Sequence, residues 1–415
     1  MNNKKNSPSH VLFASLSGTT IEFFDFYIYA NAAVLVFPHL FFPSSDPTTE
    51  MLQSLATFSV AFFARPLGSA FFGHFGDRIG RKSTLVAALL TMGISTIAIG
   101  LLPTYQSIGL LAPALLILCR FGQGFGLGGE WGGAVLLAVE NAPKNKKAWY
   151  GMFPQLGAPI GLFLSGGIFL YLSETLTEAQ FLDYGWRIPF LLSSLLIVVG
   201  LYVRLTIHET PEFSKNLKSK GVKALPFMTM MKSHSKTLFL GTFAAVATFV
   251  LFYLMTVFVS SWAITTHGMS REMFLEAQMT SVLFFAAFIP ISAIFSDRYS
   301  SGRIIIFASM MIVVFGLLLS TLLDIGTEFG VIFTLSLGMA LMGFTYGPLG
   351  SYLSNLYPTN IRYTGSSMSF NLAGIVGASF APFIALWLTT NYGLEYVGYY
   401  LSLAALISII AIKAQ

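Results

Sequence analysis

Twelve apolar stretches run along the chain, and each is long enough to cross a lipid bilayer as a helix. A hydrocarbon core of about 30 Å needs about 20 predominantly apolar residues in a row. The stretches cover residues 11–37, 51–74, 84–102, 111–139, 149–172, 186–207, 237–264, 274–296, 303–323, 328–354, 363–390 and 395–412. Only 10% of the 415 residues are charged, against roughly 25% in soluble domains. The sequence therefore predicts an all-α membrane protein with twelve transmembrane helices, and it excludes a soluble enzyme and a nucleic-acid-binding protein.

The basic residues predict how the spans are oriented. Most of the 23 Lys and Arg residues lie on one side of the membrane if the N-terminus is cytoplasmic, and basic residues in short loops resist translocation. Arg204, at the end of the sixth stretch, is assigned to this cytoplasmic side. The even number of spans places both termini there, in a bacterial-type cytoplasmic (inner) membrane. Because Glu22 and Asp25 interrupt the first stretch, we expect a retained span and not a cleaved signal peptide.

The longest hydrophilic stretch divides the chain into two halves. It covers residues 208–236 and separates a predicted first bundle, 1–207, from a second, 237–415. The second span is followed by Gly73-His-Phe-Gly-Asp77-Arg78-Ile-Gly80-Arg81-Lys82, and the eighth by a weaker copy, Ser296-Asp297-Arg298-Tyr-Ser-Ser-Gly302-Arg303. A repeat with this spacing and orientation predicts two six-helix bundles related by a pseudo-two-fold axis along the membrane normal, with a site between them.

The first of these loops resembles the signature loop of the major facilitator superfamily, Gly-x-x-x-Asp-Arg-x-Gly-Arg-Lys. Seven further motifs, in order along nearly the whole chain, narrow the resemblance to the metabolite:proton symporter family. They are Glu22-Phe-Phe-Asp25-Phe-Tyr-Ile-Tyr29, Ala64-Arg65-Pro66-Leu-Gly68, Arg120-Phe-Gly-Gln-Gly124 with Gly128-Gly129-Glu130-Trp-Gly-Gly-Ala134, Gly157-Ala-Pro159-Ile-Gly161, Trp186-Arg187-Ile-Pro189-Phe, Glu209-Thr-Pro-Glu212-Phe and Tyr357-Pro358-Thr-Asn-Ile-Arg362-Tyr-Thr-Gly365.

The resemblance implies uptake of a metabolite together with protons. Its members import citrate, 2-oxoglutarate, shikimate and related carboxylates, or proline and betaine. Proline/betaine members carry a long C-terminal tail, whereas this sequence ends directly after its last span. We therefore expect a small organic acid, with a zwitterion such as proline or betaine as the alternative.

Five charged residues lie well inside the predicted spans, away from their ends, and all belong to the first half. They are Glu22, Asp25, Arg65, Arg120 and Glu130. Charges at such positions are costly in lipid, so they face the bundle interior and are candidates for function. The Glu22 and Asp25 carboxyls share a helix face, and burial favours their protonated form. We predict that Asp25, with Glu22 and Glu130, binds the coupled protons; the alternative is that hydrogen-bonded acids fix helix packing.

The two arginines are candidates for binding an anion. A guanidinium is planar and always charged, and it matches a carboxylate with two parallel hydrogen bonds. Each arginine either binds the substrate or pairs with an internal acid, and Arg65, followed by Pro66, is the more structural of the two. Glu130 lies ten residues beyond Arg120, roughly 15 Å along a helix, so its partner must come from elsewhere. The predicted substrate-binding residues are Arg120, Arg65, Tyr29, Gln123, Tyr346 and Asn371.

The repeated loop predicts a gate. An aspartate at the end of a span can lie near helix N-termini, whose partial positive charge favours an anion. The resemblance implies that this loop closes the cytoplasmic side while the site faces outward. The predicted gating residues are Asp77, Arg78, Arg81, Asp297 and Arg298.

No cofactor or metal is expected. The six histidines lack metal-ligand spacing, and the absence of a phosphate-binding loop motif argues against direct ATP coupling. The expected partners are a small-molecule substrate, protons and the lipid bilayer, with no nucleic acid, and the chain is expected to act as a monomer. The sequence thus predicts a secondary active symporter. The alternatives are a proton antiporter that exports an amphiphile, an intramembrane enzyme and a passive channel.

Overall fold

Helices form almost all of the part of the chain that the computed structural model describes. The described residues are 7–206, 226–259, 262–263, 268–269, 271–325 and 327–415. The predicted linker, 208–236, is described only from residue 226 onward, and the motif Glu209-Thr-Pro-Glu212-Phe lies outside the described residues. The expectation of an all-helical architecture is confirmed.

The helices of the first half follow the predicted spans closely. Their bounds are α1 Pro8–Leu35, α2 Phe37–Phe41, α3 Pro47–Ile79, α4 Arg81–Leu101, α5 Tyr105–Ile108, α6 Leu111–Glu140, α7 Lys147–Thr175, α8 Glu178–Gln180 and α9 Arg187–Thr206. A π-helical turn, Phe181–Gly185, leads into α9.

The helices of the second half repeat this arrangement. Their bounds are α10 Pro226–Ser233, α11 Ser235–Tyr253, α12 Arg271–Tyr299, α13 Ser301–Leu323, α14 Glu328–Asn355, α15 Arg362–Gly374, α16 Ala381–Asn391 and α17 Leu394–Lys413. Within the described residues, 11 helical segments are long and apolar enough to cross a membrane. The 33-residue helix α3, which covers the second predicted span, is more polar in overall composition and is not among these 11; counting it gives twelve.

Two predicted spans are interrupted by π-helical turns and are not continuous α-helices. The seventh span changes from α-helix to π-helix at Leu254–Phe258. In this turn the Thr256 hydroxyl donates to the Phe252 carbonyl, four residues earlier, at 2.8 Å. The eleventh changes at Ile375–Ser379, just before Pro382, which has no backbone N–H to continue the ladder. Such turns are single-turn irregularities within longer helices.

The two halves pack with the same pattern of neighbours. Helix α3 packs on α6, as α12 packs on α14, and α4 packs on α9, as α13 packs on α17. The halves meet in two equivalent contacts, α3 against α15 and α7 against α12. This equivalence agrees with the predicted pseudo-two-fold relation, and it places α3, α6 and α7 beside the second half.

Helices α3 and α6 approach each other closely enough for their backbones to touch. A Cβ atom at Gly128 would overlap the Arg65 carbonyl oxygen, and one at Gly68 would overlap the Phe125 carbonyl oxygen. Small residues permit this kind of approach between membrane helices. The contact fixes the position of Arg65 on α3 relative to Arg120 on α6.

Candidate functional site

Asp25 lies in the middle of α1 and faces α4 and α9. Its carboxylate accepts hydrogen bonds from Ser193 Oγ at 2.6 Å and from Thr96 Oγ1 at 3.0 Å. The side chain is fully buried, and none of the ion pairs among the described residues includes it. Asp25 can therefore gain or lose a proton without breaking an ion pair. The sequence does not single out Thr96 or Ser193, because a lone hydroxyl in an apolar span carries no distinctive pattern.

A series of hydrogen bonds connects Asp25 to Arg120. Gln123 Nε2 donates to Thr96 Oγ1 at 2.8 Å, and Arg120 Nη1 donates to Gln123 Oε1 at 3.0 Å. Arg120 and Gln123 are three residues apart on α6, so their side chains lie on one helix face. A predicted substrate residue and a predicted proton residue are thus joined through two neutral side chains, Gln123 and Thr96.

Aromatic rings surround the Arg120 guanidinium. Its central carbon lies 3.8 Å from the ring centroid of Tyr29, 4.8 Å from that of Phe58 and 4.9 Å from that of Phe26. The Tyr29 hydroxyl is held by Thr57 Oγ1 at 2.5 Å. Cation–π contacts stabilise the charge but do not satisfy the N–H groups. Nε and Nη2 of Arg120 are buried and have no hydrogen-bond partner among the described residues.

Arg65 has a similar environment on α3. Its guanidinium carbon lies 4.5 Å from the ring centroid of Phe26 and 4.8 Å from that of Phe62. Its Nε and Nη2 atoms are buried and, within the part of the chain that the structure describes, make no hydrogen bond. Phe26 therefore contacts both guanidinium groups.

Glu22 lies one turn before Asp25 on α1. It interacts electrostatically with Arg65 and Arg204, yet none of the ion pairs described involves it. Its Oε2 atom is buried and has no hydrogen-bond partner among the described side chains and backbone. Tyr346, from α14 of the second half, is also within electrostatic range of Glu22. Glu22 is thus within electrostatic range of groups from both halves.

Glu130 forms a buried ion pair with Arg204. Arg204 Nη1 donates to Glu130 Oε2 at 3.0 Å and to the Leu85 carbonyl at 2.9 Å, and Nη2 donates to Glu130 Oε1. Only 4% of the Arg204 surface is exposed, so this side chain is buried inside the first bundle, and its assignment to the cytoplasmic side stays a prediction. Gly18 makes room for this side chain, since a Cβ at Gly18 would overlap Nη2. The sequence signal for this pair is Glu130 itself. No residue on its own helix can neutralise it, so a basic partner on another helix is required.

A bridge of side chains joins the two halves near the centre. The Trp131 ring stacks on Phe370 with centroids 3.6 Å apart and planes inclined by 9°. Trp131 Nε1 donates to Gln155 Oε1 at 2.7 Å, and Gln155 Nε2 donates to the Tyr346 carbonyl at 2.8 Å. The sequence does not single out Trp131, Gln155 or Phe370, because their contacts depend on how the bundles pack.

Asn371, another predicted substrate residue, also connects the halves. Its amide nitrogen donates to Ser69 Oγ at 2.7 Å, to the Ser367 carbonyl at 2.9 Å and to the Gly128 carbonyl at 3.3 Å. Asn371 lies on α15, whereas Ser69 and Gly128 lie on α3 and α6. The side chain therefore stabilises the contact between α15 and the first bundle.

The predicted gating aspartates each lie at the start of a helix in the opposite half. Asp77 accepts hydrogen bonds from the backbone N–H groups of Tyr363 at 3.2 Å and Thr364 at 3.0 Å, in the first turn of α15. Asp297 accepts from the N–H groups of Ala148 at 2.8 Å and Trp149 at 2.9 Å, in the first turn of α7. Helix N-termini stabilise carboxylates through free N–H groups and the helix dipole.

The predicted gating arginines differ in their roles. Arg81 Nη1 donates to Asp77 Oδ1 at 2.9 Å, and Nη2 reaches Glu140 Oε1 at 3.4 Å and the Thr359 carbonyl at 3.3 Å. Arg81 therefore ties the first loop to the second half. Arg78 lies 3.3 Å from His74 on its own helix, and Arg298 is exposed beside the ring of Tyr299.

The predicted site residues thus fall into separate groups. Glu22, Asp25, Tyr29, Arg65, Arg120 and Gln123 lie together in the first bundle, Tyr346 and Asn371 come from the second, and Asp77, Arg81 and Asp297 lie at one end of the halves' interface. In the described part of the chain, no group of three or more His, Cys, Asp or Glu residues is placed to hold a metal. The roles of these residues stay predictions.

Sequence comparison places the chain among metabolite transporters. The family described as sugar (and other) transporter matches residues 10–225. The inner membrane metabolite transport protein YhjE of Escherichia coli (strain K12) is 53% identical over 412 residues, which cover 98% of this chain and 94% of that protein. The shikimate transporter of the same strain is 35% identical over 399 residues, with 95% and 91% covered. Its proline/betaine transporter is 33% identical over 412 residues, with 96% and 81% covered.

Structural comparison supports the same fold. The structure of the major facilitator superfamily proton:xylose symporter XylE bound to 6-bromo-6-deoxy-D-glucose matches with a TM-score of 0.80 at 13% sequence identity. The match covers 98% of this chain and 94% of that one. The relatives in sequence are named transporters and not enzymes. The chain therefore belongs to the sugar (and other) transporter family of the major facilitator superfamily and is a multi-pass membrane transporter of metabolites.

Proposed function

We propose that the protein is a proton-coupled symporter that takes up a small organic acid by alternating access. The observation that carries this proposal is the series of hydrogen bonds from Arg120 through Gln123 and Thr96 to Asp25. An anion bound at Arg120 would change the position of Gln123 and thereby the hydrogen bonds of the Asp25 carboxyl. A substrate site and a titrating acid are linked in the way that coupling requires.

Proton coupling suits an anionic substrate for an electrostatic reason. Moving one charge against a membrane potential costs about 2.3 kcal/mol per 100 mV, so protons carried with the anion offset its charge. Asp25 and Glu22 are the candidate carriers, because neither takes part in an ion pair among the described residues. Glu130 is committed to Arg204, so its share in proton coupling requires that this pair opens during transport.

The other predicted residues fit supporting roles in this scheme. Tyr29 and Gln123 orient Arg120. Tyr346 and Asn371 are the contributions of the second half, and the bonds of Asn371 to the first bundle would break as the halves separate. The chain acts as a monomer in this proposal, because each of these groups comes from one polypeptide.

Alternating access requires that the contacts at one end of the halves' interface form and break. Asp77, Arg81 and Asp297 connect the halves at the end that the basic loops predict to be cytoplasmic. In this proposal they hold the cytoplasmic side closed, with both termini on that side of the inner membrane. Arg78 and Arg298 would then bind lipid headgroups or partners formed in another state.

Transport in liposomes tests the proposal. We expect the purified protein to accumulate labelled 2-oxoglutarate or shikimate when the outside is made acidic, and Asp25→Asn to abolish accumulation while preserving some exchange of preloaded substrate. Asp324→Asn, which changes an exposed acid at the end of α13, is the matched control. Full accumulation by Asp25→Asn would refute the proton role of Asp25, and downhill uptake that never exceeds equilibrium would indicate a channel.

A zwitterionic substrate is the second candidate, because Glu22 and Arg65 offer opposite charges near each other beside aromatic rings. A relative named as a proline/betaine transporter supports including it. Competition among citrate, 2-oxoglutarate, shikimate, proline and betaine separates the candidates. Export of an amphiphile driven by proton entry would instead indicate an antiporter.

A further inference from the structure

Two buried polar atoms from opposite halves lack hydrogen-bond partners near the centre of the interface. Glu22 Oε2 belongs to α1 of the first half, and the Tyr346 hydroxyl belongs to α14 of the second. Only 1% of Glu22 and 3% of Tyr346 is exposed, so bulk water does not reach them. Neither atom forms a hydrogen bond among the described residues, yet the two groups interact electrostatically.

The two atoms are complementary in what they lack. Trp131, whose indole N–H donates to Gln155 Oε1, also acts on the Tyr346 hydroxyl. An indole N–H can only donate, so it leaves the phenolic proton of Tyr346 without an acceptor. An ionised carboxylate can only accept, and Glu22 Oε2 has no donor in the described part of the chain. A buried donor and a buried acceptor are each costly when unpaired, and a bond between them removes both penalties.

The rest of Tyr346 is already anchored at the interface. Gln155 Nε2 of the first half donates to its carbonyl at 2.8 Å. Its ring packs beside those of Phe285 and Phe370, with centroids 5.7 Å and 6.4 Å away. Phe370 in turn stacks on Trp131 of the first half. The hydroxyl is therefore the one part of this side chain that lacks a partner among the described residues.

The other charged and titratable groups that interact with Glu22, among the described residues, come from the first half. They are Arg65, Arg204 and Tyr27. A carboxylate accepts hydrogen bonds on two oxygens, so a guanidinium on one oxygen leaves the other available. Tyr253 is a further titratable group near Tyr346, and tyrosines do not ordinarily titrate between pH 5 and 8. Tyr346 is thus the group through which the charge of Glu22 acts on the contact between the halves.

We propose that Tyr346 senses the proton on Glu22, because its hydroxyl donates to the ionised carboxylate across the interface and holds the halves together at their centre. This inference rests on the proposed function only in treating Glu22 as a proton carrier. A hydrogen bond to an ionised acceptor is roughly twice as strong as one between neutral groups, so protonation of Glu22 weakens the contact. The halves then separate more readily once the proton is bound. Tyr346 is a positioning residue in this scheme and does not carry the proton itself.

Infrared difference spectroscopy on the intact protein in nanodiscs tests the hydrogen bond without any substrate. Ring-deuterated tyrosine marks the phenolic C–O stretch. A change from pH 8 to pH 5 should alter the band of one tyrosine, and Tyr346→Phe should remove that band. Glu22→Gln keeps Tyr346 but cannot ionise, so its tyrosine band should not respond to pH. A band that responds equally in Glu22→Gln and in the unaltered protein, or in neither, would overturn the inference.

Distances between the halves test the consequence. Thr175→Cys and Asn391→Cys carry spin labels at exposed helix ends on the predicted outer side, after Cys119→Ser removes the free cysteine. We expect the fraction with separated labels to rise at least about threefold from pH 8 to pH 5, which reflects the difference between a charged and a neutral hydrogen bond.

A double-mutant cycle identifies the pair that causes this rise. Tyr346→Phe and Glu22→Gln should each abolish it, and the double variant should behave like either single one. Tyr396→Phe removes the hydroxyl of an exposed tyrosine on α17 and is the matched control, which should keep the full rise. Additive effects of Tyr346→Phe and Glu22→Gln would show that the two groups act independently and would contradict the proposal.

The outcome is separable from that of the proposed function. A response of Tyr346 to pH that depends on Glu22, without accumulation of substrate in liposomes, would remove the symport proposal and leave this inference intact. Proton-driven accumulation that persists in full in Tyr346→Phe, with a tyrosine band that ignores pH, would do the opposite.

Discussion

Asp77 and Asp297 occupy corresponding positions in the two halves, and each accepts two backbone hydrogen bonds from the first turn of a helix in the other half. The exchange is reciprocal, because α3 of the first half reaches α15 of the second and α12 of the second reaches α7 of the first. Both contacts lie at the same end of the halves' interface. They can therefore form and break together when the halves move relative to each other.

Removing either charge should loosen this end of the protein. A carboxylate at a helix N-terminus contributes about 0.3–1 kcal/mol through the dipole, and hydrogen bonds to charged groups contribute about 1.5–3 kcal/mol. We expect Asp77→Asn to speed hydrogen exchange at the first turn of α15 and, because the halves separate together, at the first turn of α7 as well. Asp297→Asn should do the same at both places.

Hydrogen exchange followed by mass spectrometry measures both helix starts in one experiment. Asp324→Asn serves as the control, since Asp324 is exposed at the opposite end of its half. An increase confined to the helix that each aspartate contacts would show that the two contacts open independently.

The buried pair of Glu130 and Arg204 should dominate the stability of the first bundle. Removing one partner of a buried ion pair leaves an uncompensated charge and destabilises by about 3–5 kcal/mol. We expect Glu130→Gln to lower the thermal unfolding midpoint strongly. The double variant Glu130→Leu with Arg204→Met should lose less than Glu130→Gln alone, because neither charge remains buried. A double variant that is less stable than the single one would argue against an isolated pair.

Gly18 should prove essential for the same pair. A methyl group there would overlap Arg204 Nη2, so Gly18→Ala should displace the guanidinium from Glu130 and reduce stability. Gly167→Ala on α7 is the matched control, since nothing lies within 4 Å of its added Cβ. That control should be neutral or stabilising by up to about 1 kcal/mol, the difference in helix propensity. Equal thermal midpoints for both variants would contradict the steric argument.

Glu22 should make anion binding depend on pH. An ionised Glu22 repels a bound anion and competes for Arg65, whereas the protonated acid does neither. The other groups within electrostatic range are Arg204, Tyr27 and Tyr346, and an arginine does not titrate in the working range. We therefore expect affinity for a carboxylate to rise as pH falls.

The matching variant is Glu22→Gln, which mimics the protonated acid. It should bind with an affinity that varies little with pH and is close to that of the unaltered protein at low pH. Calorimetric titration between pH 5 and 8 measures this dependence. Ordinary surface carboxylates are already largely ionised in this range. If Glu22→Gln kept the full pH dependence of binding, the titrating group would be Asp25 and not Glu22.

Much of the fold is predictable because lipid imposes one demand on every span. A helix must present about 20 apolar residues whatever its neighbours are, so predicted and observed ends differ by at most one residue at α6 and α14. The repeat likewise indicates that Asp77 and Asp297 act together. The π-helical turns are not predictable in this way, because they change the backbone hydrogen bonds without changing hydropathy.

The pairing of Arg204 illustrates what the sequence alone could not show. Arg204 lies at the end of a span, next to the Lys-rich stretch. A basic residue that only sets the orientation of the span would lie at the same position. Its side chain turns inward because Gly18 leaves space and Glu130 supplies charge, and both depend on how α1, α6 and α9 pack. A buried acid with no partner on its own helix is the one signal that points to such a residue.

The π-helical turns at Leu254–Phe258 and Ile375–Ser379 both lie in the second half, and each packs near the helix that carries the other. A turn of this kind is a place where a helix can kink without losing the rest of its ladder. Each π-helical turn follows a helical segment that begins at the end of the interface where Asp77 and Asp297 lie. The segments beyond the turns can therefore move while those aspartates stay bound. We therefore expect the two ends of the halves' interface to open differently, one by breaking discrete charged contacts and the other by bending of helices.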